Sequence, residues 1–140
     1  MNPDPRLSLL LLVVVLLFLS AFFSGVETAF FSLSRFAVVE MEKEEGRKRL
    51  VSRLLAEPRK LLVTILFGNL LVNIASTSAV TAFAISAFGE KGLGIAMVFM
   101  TVLILIFGEI GPKSVSMRHA RTIAVSSAPV MRGLMVLFTP

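Results

Sequence analysis

Three long apolar runs govern what this chain can become. The first covers Leu7 to Phe23 and continues through Ser24-Gly25-Val26-Glu27-Thr28-Ala29-Phe30-Phe31. The second runs from Leu61 to Phe88, interrupted only by Gly, Asn, Ser and Thr, and the third from Leu93 to Phe107. A helix needs about 20 apolar residues to cross a hydrocarbon layer about 30 Å thick. The chain has 140 residues, of which 56% are hydrophobic and 16% charged, and its mean hydropathy is +0.88. A soluble domain of that size cannot hide so much apolar surface. The expected fold is an all-α integral membrane protein: one transmembrane domain over 1–140, with spans at about 7–31, 61–88 and 93–112. A cleavable signal peptide is a poor account of the first run, which is longer than such an apolar region and follows both Asp4 and Arg6.

The segments between the runs are short. Phe88-Gly89-Glu90-Lys91-Gly92 leaves room only for a tight turn between antiparallel helices. The linker 35–60 is strongly charged, yet Phe36, Val39, Leu50, Leu54 and Leu55 would give a helix there one apolar face. Pro58 suits the first turn of the next helix. The stretch 120–138 is apolar but carries Arg121, Pro129, Arg132 and Gly133, and reads as a juxtamembrane helix lying at the interface.

Charge sets the expected orientation. Eight Lys and Arg residues lie in 35–60 and four more (Lys113, Arg118, Arg121 and Arg132) follow the third run, leaving Arg6 and Lys91 for the other side. Positive residues collect on the cytoplasmic face. The linker and C-terminus are therefore expected inside a cell (plasma or inner) membrane, with the N-terminus and the Gly89 turn outside. The net charge of +5 is thus a topology signal that can also meet anionic lipid headgroups, and nucleic acid is a poor partner.

Polar residues inside hydrocarbon are costly and mark candidate sites. The first run carries Ser20, Ser24 and Glu27 at i, i+4, i+7, and the second carries Asn69, Asn73 and Ser76 at the same spacing. The third ends in Gly108-Glu109-Ile110-Gly111-Pro112-Lys113. At about 1.5 Å per residue, Ser20, Ser24, Asn69 and Glu109 fall in the same inner half of the bilayer, with Asn73 one turn deeper. In an α-helix Pro112 would deprive the Gly108 carbonyl of its partner, so a helix break is expected at Gly111–Pro112. Hydroxyl, amide, carboxylate and carbonyl oxygens together suit Mg²⁺ or Ca²⁺ over zinc or copper. Cysteine is absent and His119 is the one histidine, so thiolate and multi-histidine centres are excluded. Ser and Asn also join spanning helices; Ser76, Thr77, Ser78 and Ala79 read as packing, Asn73 and Glu27 as supporting groups.

The segments Phe22 to Phe30, Gly68-Asn69-Leu70-Leu71-Val72-Asn73 and Gly108 to Lys113, in that order, resemble the transmembrane domain of the CorC/cyclin-M family of magnesium transporters. The resemblance implies a homodimer of protomers with three spanning helices, a juxtamembrane helix and a cavity open to the cytoplasm. It implies Mg²⁺ as the transported ion, exported against Na⁺ entry, with Ser20, Ser24, Asn69, the Gly108 carbonyl and Glu109 as ligands. Family members continue into a cytoplasmic CBS pair, absent over these 140 residues, so ATP-dependent regulation would lie elsewhere. Two readings compete with transport. A structural or regulatory membrane anchor would use the polar residues only to pack helices and bind a partner. An intramembrane enzyme lacks a nucleophile–base pair, since His119 lies past the third run and no paired aspartates exist.

Overall fold

The computed structural model describes residues 5–138. Among them every regular element is helical. The first apolar run forms α1 (Pro5–Phe31), 27 residues that span about 40 Å. The charged linker holds two short helices, α2 (Arg35–Glu42) and α3 (Arg47–Leu55), where the spacing had suggested one face on one helix. Gly46, at φ +71°, separates them. Ser34 caps α2, its hydroxyl accepting from the Ala37 N–H at 3.1 Å. Met41, Val51 and Leu54 are buried while Phe36 and Val39 are exposed, so the apolar face is only partly the expected one.

The second and third runs are helical from Pro58 to Ile104, called α4, and Pro58 occupies its first turn as the sequence suggests. The direction reverses at Gly89, whose φ of 66° and ψ of −172° lie outside the helical region and in a region open essentially to glycine alone. The reversal is visible across the hairpin, where the Thr81 hydroxyl reaches the Met97 sulfur, sixteen residues on, at 3.8 Å. In a straight helix those residues would be about 24 Å apart.

The third run does not end at Pro112. Residues Leu105–Ile110 widen into a π-helical turn, and α5 (Gly111–Arg118) continues from it. The Gly111 N–H donates to the Ile106 carbonyl, five residues back. Pro112 then sits in the first turn of α5, where a missing N–H costs least. The expected break is therefore a loosened turn just before the proline. Last comes α6 (Ala120–Phe138), 19 residues long and apolar enough by length and composition to cross a membrane.

The helix α1 is central, packing on α4, the π turn, α5 and α6, and α3 packs on α6. Val26, Ala29 and Phe30 meet Leu61, Ile65, Ala124 and Met131 in one buried cluster. Leu70, Ile74, Ile95, Val98 and Phe99 on α4 stay exposed. Water would penalise such a surface, but lipid tails are as apolar as the side chains themselves. The protein is an all-α membrane protein; among the described residues three helical stretches are long and apolar enough to cross, the second of which holds the hairpin.

Candidate metal centre

Hydroxyl groups in spanning helices usually donate to the carbonyl one turn back, which settles their own donor. Thr28 does so to Ser24 at 3.1 Å, Thr64 to Lys60 at 2.8 Å, Thr77 to Asn73 at 3.0 Å and Thr101 to Met97 at 2.7 Å. Ser20 is different. It is 1% exposed, and its Oγ has no hydrogen-bond partner among the described residues. The Oδ1 of Asn69 is likewise buried and unpartnered. Leaving a buried polar atom unsatisfied costs about 1–3 kcal/mol, so each of these two oxygens calls for an additional partner.

The backbone explains why they lie where they do. Gly108, on the π turn, is buried, and a Cβ placed on it would stand 3.2 Å from Ser20 Oγ. The missing side chain thus lets α1 press its serine against the π turn. One helical turn along α1, Phe23 lies against Gly68 of α4, beside Asn69; a Cβ on Gly68 would stand 2.5 Å from the ring. So α1 brings Ser20 against the π turn and Phe23 against Gly68, the chain neighbour of Asn69. Ser24 is also buried on α1, at 2% exposure.

Glu109 follows Gly108 on the π turn and is half-buried. Among the described residues no cation lies within ion-pair distance of it. Glu27 and Asn73 are half-buried as well, and among the described residues no hydrogen bond ties either side chain to Ser20, Asn69 or Glu109.

In an α register Pro112 would free the Gly108 carbonyl. The turn just before Pro112 is π-helical over Leu105–Ile110, and Gly108 lies on that turn close against Ser20. Ser76, read as packing, is buried with an unpartnered Oγ, while Thr77 and Ser78 are exposed and bonded one turn back. Ser76 is seven residues from Asn69, two turns along the same face, a spacing that Thr77 and Ser78 do not share.

Chemically, the group offers neutral oxygens and one adjacent carboxylate. No three Asp, Glu, His or Cys side chains cluster among the described residues. A cation held here would rest on hydroxyl, amide and carbonyl oxygens with Glu109 supplying charge, the donor set of a hard divalent ion. A separate cavity of about 630 Å³, lined by Phe22, Gly25, Phe107, Pro112, Val115 and Ser127 among others, is mostly apolar and includes none of the five ligand candidates.

Comparison with known proteins gives a consistent set of likenesses. Residues 11–140 match the cyclin M transmembrane N-terminal domain. A UPF0053 protein of Haemophilus influenzae is 34% identical over 142 residues, covering 100% of this chain and 34% of that protein. The UPF0053 inner membrane protein YfjD of Escherichia coli is 32% identical over 87% of this chain and 29% of its own length. The metal transporter cnnm-4 of Caenorhabditis elegans is 34% identical over 81% of this chain and 25% of its own. The chain thus spans about a third or less of the length of these curated relatives.

Proposed function

The chain belongs to the cyclin M transmembrane N-terminal domain family, and on that footing we propose that it is the membrane part of a Mg²⁺ transporter. Ser20, Ser24, Asn69, the Gly108 carbonyl and Glu109 would hold the ion. The observation that carries this reading is the pair of buried oxygens without partners, Ser20 Oγ and Asn69 Oδ1, one against Gly108 and the other beside the Phe23–Gly68 contact. A relative that carries the words metal transporter in its name supports the same class.

The finer parts of the proposal follow from charge and flexibility. With the Lys- and Arg-rich linker and C-terminus in the cytoplasm, the candidate ligands lie in the cytoplasmic half of the bilayer. Loading from inside and export against Na⁺ entry is the direction we assign. A π turn is the natural hinge, because its widened bonds can revert to an α register, and it carries Gly108 and Glu109. The working unit is a homodimer in the bilayer, joined in the full protein to a cytoplasmic CBS pair. A weak site is no defect here. One carboxylate among neutral oxygens binds Mg²⁺ loosely enough to release it on the other side.

Transport is tested with the chain reconstituted in liposomes that enclose a Mg²⁺-sensitive dye. Dye-reported Mg²⁺ movement that rises with an opposing Na⁺ gradient is the expected result. If flux equals that of protein-free liposomes, and Mg²⁺ also fails to raise the thermal unfolding midpoint, the membrane-anchor reading takes its place.

A further inference from the structure

Arginines on a cytoplasmic surface are normally solvated or paired with carboxylates. Lys60 pairs with Glu57 at 3.5 Å, and Arg121 of α6 approaches Glu40 of α2 at 4.0 Å. Arg132, eleven residues further along α6, meets a different environment. It shares a pocket of about 430 Å³ with Arg47, Arg49 and Arg53 of α3, the rest of the lining being Gly46 and Leu50. Among the described residues no carboxylate lies within ion-pair distance of any of the four. Glu44 and Glu45 are close in sequence, but the chain turns at Gly46 between them and the arginines.

Four guanidinium groups from two elements repel one another unless an anion stands between them. The start of α3 adds to the demand, since Gly46 makes no side-chain cap and the first-turn N–H groups have no side-chain acceptor. Planar, five-donor guanidinium groups match a phosphate bidentately.

We propose that the pocket formed by Arg47, Arg49, Arg53 and Arg132 holds the phosphate of an anionic lipid headgroup. A lipid is favoured over a soluble anion by what surrounds Arg132. It sits on an apolar helix whose Val130, Val136 and Leu137 are exposed, a surface suited to acyl chains. An arginine on such a helix extends its charged end to headgroup level, where lipid phosphates are the abundant anions. The lipid phosphate would then clamp α3 to α6 and fix the charged linker against the membrane. This assignment stands apart from the ion site and does not depend on it.

The test is calorimetric titration of the chain, in a neutral maltoside detergent, with dihexanoyl phosphatidic acid, dihexanoyl phosphatidylcholine and inorganic phosphate. Phosphatidic acid is expected to bind at least about tenfold more tightly than either of the others. Each of R132Q and R47Q/R53Q is expected to lose about tenfold, the value of a charge-assisted hydrogen bond. R121Q, whose arginine is already paired, leaves the affinity unchanged. The two altered variants lie on different helices, and unchanged far-ultraviolet dichroism confirms that each is folded. Equal binding of the two lipids, or full affinity in folded R132Q, overturns the proposal. Inorganic phosphate binding as tightly as phosphatidic acid overturns the lipid assignment in favour of a soluble anion.

Discussion

Liposomes carrying Glu109→Gln are expected to move Mg²⁺ about a hundredfold more slowly at limiting Mg²⁺ than those carrying the unaltered chain. The substitution keeps the size of the side chain and one oxygen but removes the charge. Around a metal, even a group one layer out from the ligands changes affinity by roughly 10–100-fold, and Glu109 is the carboxylate that adjoins Gly108 on the π turn. Glu27 provides the control. It lies on α1 seven residues past Ser20, half-buried, and Glu27→Gln should cost much less. If the two variants behave alike, charge at Glu109 has no special place in the transport step.

Gly68→Ala is expected to destabilise the protein by about 1–3 kcal/mol, the usual range for forcing a methyl into a packed core. The new Cβ would lie 2.5 Å from two ring carbons of Phe23. A ring end can swing away only where it has room. Phe23 is 7% exposed and its ring meets that of Phe22 edge to face at 5.4 Å. Gly108→Ala is milder, since its nearest contacts are 3.2 Å away. Thermal unfolding in detergent should therefore order the proteins as unaltered, Gly108→Ala, Gly68→Ala. Phe23→Leu placed in the Gly68→Ala background should recover part of the loss, and a double-mutant cycle measures that coupling. Additive effects would mean that Phe23 and Gly68 do not set the α1–α4 spacing.

How far the sequence discloses this architecture depends on the kind of signal. Apolar run length and turn chemistry are local, and they located α1, the Gly89 reversal, the Pro58 start and the 120–138 helix within a few residues. Hydrogen-bond register is not local in that sense. An apolar stretch such as Leu103 to Phe107 has the same composition whether its N–H groups reach four residues back or five. The π turn at Leu105–Ile110 was for that reason invisible, although Pro112 marked where the α register had to yield. Gly46 carries no such signal, because its neighbours are all charged and nothing apolar alternates across it to show that α2 and α3 are separate.

The same distinction applies to the site. Ser20, Asn69 and Glu109 stood out as polar residues in apolar runs. Which of the many hydroxyls keep their oxygens free could not be read from spacing. Thr28 and Ser20 are both one-turn neighbours of Ser24, yet Thr28 donates back to the Ser24 carbonyl while Ser20 has no partner among the described residues. Ser20 lies close against Gly108 of the π turn, and Ser76, on the Asn69 face by its spacing, is buried with an unpartnered Oγ.

The central claim is that buried, unpartnered oxygens in this bundle bind Mg²⁺. Titration calorimetry of Mg²⁺ into the detergent-solubilised chain and into Asn69→Ala tests it most directly. The account predicts measurable binding by the unaltered chain and at least about tenfold weaker binding by the variant, the loss expected when a metal ligand is removed. Equal Mg²⁺ affinity in the two proteins would contradict it.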